Sequence, residues 1–386
     1  MTKHQIIIVG GGAAGIATAS SLLSRDASLD IAIIEPSDQH FYQPGWTMVG
    51  AGIFTKGQTV RSTDSAWPSG IKRIKGAVAT FSPDKNNIIL EDGSEVLYEY
   101  LVVAAGLKLD WGAIEGLENT LGKNGVTSNY RFDLAPYTWE LVQKMQGKTA
   151  IFTQPPMPIK CAGAPQKAMY LSCDAWLKAG KLSGIEVSFC NAGPVLFGCA
   201  PYVPPLMEYV KKYDISLDFG HNLVKIDGPN RKAWFKVTKD GEDSQIVERK
   251  FDMIHVCPPQ CAPDFIKDSS LSGAGGWVDV DQATLQHTAY ENVFGLGDVT
   301  STPNAKTVAA ARKQAPIVAQ NLIAKIRGQS LAPLYDGYGS CPLTVEKGKI
   351  ILAEFGYGGK VMPTFPWDST KPRRAAWFLK KSILPW

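Results

Sequence analysis

The sequence predicts an α/β fold built from tandem Rossmann-like units, and three observations carry that prediction. A β-branched run at residues 6–9 leads into Gly10-Gly11-Gly12-Ala13-Ala14-Gly15 and then into a small-residue stretch at 16–23. A second apolar strand, residues 30–34, ends at Glu35, twenty residues after Gly15. The order strand, loop, helix, strand then recurs across residues 148–191. Strands alternating with helices in this way build parallel sheets covered by helices.

The first unit reads as a dinucleotide site. Gly10, Gly12 and Gly15 fit G-x-G-x-x-G: the first makes the turn, the second admits a pyrophosphate, the third packs helix on strand. The helix that opens at Ala13 and Ala14 offers unpaired N–H groups and a positive dipole end to phosphate. An acid at the position of Glu35 accepts hydrogen bonds from a ribose hydroxyl. The loop at 40–46 is aromatic and broken by Gly and Pro, so it either passes a cofactor ring or packs its own aromatics. Residues 88–90 and 95–98 read as a hairpin around Asp92-Gly93. The strand at 100–106 ends in Ala105-Gly106, where small residues permit close approach to a ligand.

The second unit begins near Trp111, with a helix at 137–145, a strand at 148–153, a helix at 166–179 and a strand at 185–191. Where a phosphate-binding turn belongs, the chain has a loop at 154–165 with four prolines. Proline donates no N–H and cannot reproduce that turn, so this unit is not expected to bind NAD(P)H in the usual way. Further on, 206–213 reads as a helix and 217–219, 233–238, 251–256, 278–280 and 292–296 as strands, with a turn at Asp240-Gly241 and a loop at 273–276. The strand at 292–296 ends at Gly297-Asp298, and a helix over 305–326 follows through Lys306 and Thr307. That helix start is a second place to meet a cofactor, its positive end suited to a ring oxygen that becomes anionic on reduction.

These readings divide the chain into residues 1–110 with 280–330 as one nucleotide-binding domain, 111–279 as a second, and 331–386 as a C-terminal segment. The last part begins with a Gly-rich aromatic loop at 335–343 and a strand at 350–355. Its end, 371–386, mixes cations with Trp, Phe, Leu and Ile, the texture of a helix lying in a membrane interface, or of a terminal helix docked on the domain.

Composition narrows the function. A length of 386 residues suits two to three domains, and 45% hydrophobic residues suffice for real cores. The net charge of +4, with no basic run interleaved by aromatics, gives no case for nucleic acid. No apolar stretch reaches the length of a membrane-spanning helix. The first strand starts near residue 5, no signal peptide is visible, and the protein is expected to face the cytosol. Seven cysteines over this length are not a disulfide scaffold. Cys173, Cys190, Cys199, Cys257 and Cys261 read as small buried hydrophobes. Cys161 lies in the polar, proline-rich loop and Cys341 in Tyr-Gly-Ser-Cys-Pro-Leu, so both invite a chemical role. Lys160, beside Cys161, is a candidate to favour its thiolate, although neighbours on an extended loop point apart. No metal site is expected, because Cys257 and Cys261 lack two further ligands and the five histidines are scattered.

Taken together, Gly10–Gly15, Glu35, the Lys-Cys-Ala-Gly-Ala-Pro setting of Cys161, the setting of Cys341, and residues 295–298 with Lys306-Thr307 resemble the sulfide:quinone oxidoreductase family, in its two-cysteine type like the mitochondrial enzymes. The resemblance covers nearly the whole chain and implies an FAD enzyme of the pyridine nucleotide-disulfide reductase fold. It implies that Cys161 and Cys341 are the redox pair, bridged when oxidised. Sulfide then attacks at Cys341, and electrons pass from Cys161 through FAD to quinone. The sulfane sulfur leaves to a small acceptor such as a thiol, sulfite or sulfide. Gly297 and Asp298 match the family's second FAD motif, and Lys306 and Thr307 match positions near the pyrimidine end of the ring. The implied location is peripheral, at the cytoplasmic face of the inner membrane. An NADH:quinone oxidoreductase-like flavoprotein and a sulfide dehydrogenase with a cytochrome acceptor are the alternatives.

Overall fold

The computed structural model describes residues 2–146, 148–238 and 243–385, so the Asp240-Gly241 turn and the terminal Trp386 lie outside the described residues. Two mainly parallel sheets organise the chain. The first is seven-stranded. Its strands are β1 (Thr2–Val9), β2 (Ile31–Ile34), β3 (Lys72–Ile74), β4 (Val78–Ser82), β5 (Asn87–Leu90) and β6 (Glu95–Val103), in the order β3-β2-β1-β6-β5-β4. The run Ile6, Ile7, Ile8 is wholly buried, as a strand covered on both faces requires. Between β1 and β2 lies α1 (Ala13–Leu23), whose buried face is Gly15, Thr18, Ala19 and Leu22.

The hairpin expected around Asp92-Gly93 forms, with Ile88 opposite Val96 and Gly93 at φ 81°. It occupies only the first part of β6. The last part pairs instead with a strand from much later in the chain, described below.

The second sheet has five parallel strands: β7 (Val126–Thr127), β8 (Thr149–Gln154), β9 (Glu186–Asn191), β10 (Ile215–Phe219) and β11 (Met253–His255), ordered β7-β11-β8-β9-β10. Helix α2 (Ala164–Lys178) connects β8 to β9 and is buried along most of its length. A separate antiparallel sheet, His221–Asp227, Lys232–Val237 and Gln245–Lys250, flanks this one.

After it the chain returns to the first sheet. β12 (Val293–Gly295) adds parallel to β6, with Val293 opposite Leu101 and Gly295 opposite Val103. Residues 278–280 are not the expected strand. They make isolated bridges to Ser272, Thr300 and His287, because no neighbouring chain runs beside them for longer. Helix α3 runs Val308–Ile326 and so begins three residues later than the sequence suggests. The reason is local: Thr307 is extended, and its Oγ1 accepts from Ala310 N at 3.1 Å, which makes it the cap rather than a helical residue.

The expected loop at 335–343 is also part strand. β13 (Gly339–Glu346) pairs antiparallel with β14 (Lys349–Phe355), and Cys341 faces Ala353. Cys341, Leu343 and Val345 alternate into the core of the second sheet together with Ile351 and Ala353. That two-residue period is the strand signal, hidden in the sequence by Gly337, Gly339 and Pro342. A short helix, α4 (Arg374–Phe378), and a π-helical turn, Leu379–Ile383, end the described chain. No helix among the described residues is long and apolar enough to cross a membrane.

The α1 turn is the least forgiving point of the first sheet. A Cβ at Gly15 would lie 1.9 Å from the carbonyl oxygen of Gly10, where only backbone is available to move. Gly15→Ala is therefore expected to destabilise by about 1–3 kcal/mol or more. Thermal unfolding should show a clear fall in midpoint; an unchanged midpoint would mean that the turn relaxes freely.

Candidate active site

The candidate nucleotide cradle sits at the C-terminal ends of β1, β2, β6 and β12. Gly10 has φ 107°, and a Cβ there would meet Ala104 O at 2.5 Å, so the turn is closed to other residues. At Gly12 a Cβ would meet nothing within 4 Å. This glycine caps α1 without a side-chain hydrogen bond, which leaves the N–H end of the helix at Ala13 and Ala14 open to an anion. Glu35 is turned toward this rim: its Oε2 accepts from Gly11 N and its Oε1 from Ser37 N, both at 2.8 Å. Each carboxylate oxygen keeps a lone pair for a further donor.

Across the cradle, Gly106 has φ 71° with open space at its Cβ position, next to Ala105. Gly297 has φ 77°, and its Cβ position faces Ala14 at 3.1 Å. The Asp298 carboxylate makes no hydrogen bond among the described residues. Burial pushes its carboxyl pKa up, opposed by Lys306 and Lys160. An open helix end, an acid on the ribose side and an unpartnered carboxylate suit the donor and acceptor pattern of a dinucleotide. The side chains of Lys306 and Thr307 have protein partners instead. Lys306 Nζ donates to Asp298 O and Thr300 O, both at 2.8 Å, and stacks on Trp277; burial pushes its pKa down to about 8.

The second constellation lies where a phosphate turn would follow β8. The proline-rich loop instead delivers Cys161 to the N-terminus of α2. Cys161 itself has φ 49°, a left-handed conformation that costs a non-glycine residue roughly 1–2 kcal/mol. Hydrogen bonds on every side hold it there. Its N–H donates to Lys306 O at 2.8 Å and its carbonyl accepts from Ala164 N at 2.7 Å. Before it, Lys160 N donates to Gln260 Oε1 at 2.7 Å and Lys160 O accepts from Tyr130 OH at 3.3 Å.

This backbone turn brings Cys161 Sγ within hydrogen-bonding reach of Cys341 Sγ, although the residues are 180 positions apart. Gly163 lies against the same strand: a Cβ there would press on Leu343 Cδ2 and lie 3.8 Å from Cys341 Cβ. Cys341 is completely buried and Cys161 half-buried.

The two thiols are electrically unlike. Lys167, buried on the second turn of α2, donates from Nζ to Cys161 Sγ at 3.0 Å. The hydrogen bond from Cys341, and then the Lys167 charge, hold the Cys161 pKa well below the thiol range against the effect of burial. The Cys161 sulfur and burial push Cys341 well above it. Lys160, the cation the sequence suggests, points elsewhere: its Nζ donates to Gln43 Oε1 at 2.7 Å and lies over Trp46. The readable signal for Lys167 was its place one turn into a helix whose N-terminus faces the cysteine.

Of the remaining cysteines, Cys173, Cys190, Cys199 and Cys257 are buried and Cys261 is half-buried. Burial pushes all five thiols up. His255 is buried, accepts from Asn129 N at 2.8 Å, and is pushed down to about 4 by burial. The loop at 40–46 packs its own aromatics: Phe41 meets Phe132 at 4.8 Å and Trp46 joins them at 6.1–6.3 Å.

The pyridine nucleotide-disulphide oxidoreductase family model matches residues 4–143. The chain is 43% identical over 384 residues to the mitochondrial sulfide:quinone oxidoreductase of Dictyostelium discoideum, covering 99% of this chain and 84% of that one. It is 39% identical over 382 residues to the mitochondrial sulfide:quinone oxidoreductase of Mus musculus, with the same coverage. The chain belongs to the sulfide:quinone oxidoreductase family. The X-ray structure of the sulfide:quinone oxidoreductase of Aquifex aeolicus shares the fold, with a TM-score of 0.79 at 20% identity over 99% of this chain and 89% of that one.

Within this family member, Lys167 is the charge that separates the two thiols. Lys167→Met should raise the pH at which reduced Cys161 becomes reactive by about one unit or more. Because only the thiolate reacts, alkylation by iodoacetamide at neutral pH should then slow about tenfold. An unshifted pH–rate profile would remove Lys167 from the account.

Proposed function

We propose that this protein oxidises hydrogen sulfide to sulfane sulfur through a Cys161–Cys341 pair, with FAD as its cofactor and a membrane quinone as the electron acceptor. The observation that carries the reading is the meeting of two thiols 180 positions apart in the chain, one of them on a buried lysine. Such a pair suits reversible bridging, with Cys161 as the better leaving thiolate.

The chain's own residues divide the work. The backbone at Gly10, Gly12 and Gly15, with the α1 end at Ala13 and Ala14, would hold a pyrophosphate. Glu35 would take a ribose hydroxyl, and Ala105, Gly106, Gly297 and Asp298 would line the inner part of the cofactor site. Lys306 and Thr307 support that wall from behind. Bound FAD supplies a two-electron acceptor for the reduced pair and a donor to quinone. Cys341 receives the incoming sulfur as a persulfide while Cys161 departs as a thiolate beside Lys167. The sulfane sulfur then passes to a small nucleophile: a thiol, sulfite or further sulfide. The second sheet has Cys161 in place of a phosphate turn, which argues against a nicotinamide donor.

The reading includes peripheral membrane attachment through the C-terminal segment, expected from the sequence at the cytoplasmic face of the inner membrane. Phe378, Ile383 and Leu384 are each about half exposed, an apolar patch beside the exposed Lys381. Replacing the three by Ser is expected to abolish co-sedimentation with anionic phospholipid vesicles; undiminished binding would place the membrane contact elsewhere.

The redox reading is tested by adding sulfide anaerobically to the purified holoenzyme and following flavin absorption, then adding a short-chain quinone. Bleaching by sulfide and recovery on quinone are expected, with both lost in Cys161→Ser and Cys341→Ser. Bleaching by NADH but not by sulfide would overturn the proposal.

A further inference from the structure

Lys160 spans the two walls of the candidate cofactor site. Its main chain belongs to one wall. The next residue, Cys161, donates from N to Lys306 O at 2.8 Å, and Lys306 Nζ donates to Asp298 O at 2.8 Å. Lys160 itself is fixed there, its N–H by Gln260 Oε1 at 2.7 Å and its carbonyl by Tyr130 OH at 3.3 Å. Its side chain ends on the other wall. Nζ donates to Gln43 Oε1 at 2.7 Å and lies 5.8 Å from the centre of the Trp46 ring, both on the loop after Glu35. That loop leaves from the rim of the cradle, where Glu35 accepts from Gly11 N and Ser37 N. A lysine tied to the Asp298 and Cys161 wall by its backbone, and to the rim loop by its ammonium, crosses between them.

The charge it brings is only loosely matched. An ammonium has three donors, and Gln43 takes one while Trp46 offers a ring face. Among the described residues no carboxylate forms an ion pair with it. The titratable groups that act on it are Asp298, Cys257 and Cys161. Asp298 lies on the cofactor side and makes no hydrogen bond with its own carboxylate among the described residues. A half-buried cation of this kind is weakly screened and keeps a fixed position, so its field costs no reorganisation when charge develops nearby.

We propose that Lys160 tunes the bound flavin: its ammonium, held across the site by Gln43 and Trp46, favours the reduced form of FAD over the oxidised form. A flavin gains negative charge when it takes up two electrons, and charge placed beside the ring is one of the means by which a protein sets its electronics. The proposal rests on the FAD reading above and assigns the residue that sets how readily the cofactor accepts electrons from the sulfur pair. Lys160 forms no bond and moves no proton in this role. Lys167 serves the thiolate and Lys160 serves the cofactor, so adjacent sequence positions and adjacent tasks do not coincide.

The test is the reduction potential of bound FAD at pH 7, found by equilibrium titration against a reference dye without sulfide or quinone. Lys160→Gln, Lys160→Met and Lys160→Arg are compared with Lys160, all on a Cys161→Ser, Cys341→Ser background so that the sulfur pair takes no electrons. Glutamine keeps a donor for Gln43 without the charge, and arginine keeps the charge. In the Gln and Met variants the equilibrium for reduction should fall about tenfold or more, about 30 mV for this two-electron couple. The Arg variant should stay within about threefold. The dissociation constant of oxidised FAD should stay within about threefold throughout, because the charge acts on the reduced form. An unshifted potential in the Gln variant would overturn the proposal in favour of the tie to Gln43. An Arg variant as low as Met would remove charge from the account. A more than tenfold rise in the dissociation constant of oxidised FAD would make Lys160 a holder of the cofactor and overturn its role as a tuner. A wild-type protein that binds no FAD would defeat the cofactor reading itself, an outcome distinct from these.

Discussion

The site depends on one backbone turn. Cys161 adopts a left-handed conformation at the end of the loop after β8, pinned by Lys306 O, by the Gln260 side chain acting on Lys160 N, and by Ala164 N. Two of those partners, Gln260 and Lys306, come from distant parts of the chain. The turn is therefore a tertiary object: it forms only when the second sheet, the start of α3 and the loop at Gln260 are all in place. In exchange the thiol is aimed at both Cys341 and Lys167. The carbonyl of Lys306 links this turn to the nucleotide cradle, since the same residue's ammonium holds the loop at 298–300. The proposed cofactor wall and the proposed redox cysteine are thus built on a shared residue.

Charge then differentiates groups that geometry alone makes alike. Two adjacent thiols in like surroundings would titrate as a symmetric pair. Lys167 breaks the symmetry by hydrogen-bonding Cys161, while the Cys161 sulfur and then burial raise the pKa of Cys341. Lys167 acts on both sulfurs and makes no ion pair with a carboxylate among the described residues.

The first sheet and its cradle were legible because their signals are local. Gly10, Gly12 and Gly15, the acid at Glu35 and the hairpin at Asp92-Gly93 each need only neighbours in sequence. Cys161 stood out because prolines replaced a motif that the surrounding strand and helix led one to expect. What was not legible depends on distant packing. Lys160 drew attention by adjacency, but an extended loop turns neighbouring side chains apart, and the helical Lys167 reaches the sulfur instead. Glycine and proline around Cys341 masked a strand whose alternation, Cys341, Leu343, Val345, faces a core built mainly from residues 142–215, far earlier in the sequence. The segment 371–386 read as membrane-facing or docked, and nothing local reveals that its Lys380 is buried against Thr344.

The central claim is that Cys161 and Cys341 are covalently bridged in the oxidised enzyme. Mass spectrometry of peptides from the as-isolated holoenzyme, alkylated and digested without reductant, addresses it directly. The account predicts a cross-linked pair containing Cys161 and Cys341, joined by a disulfide or with an added sulfur, and the other five cysteines alkylated as free thiols. Recovery of Cys161 and Cys341 as separately alkylated peptides from fully oxidised enzyme would contradict it.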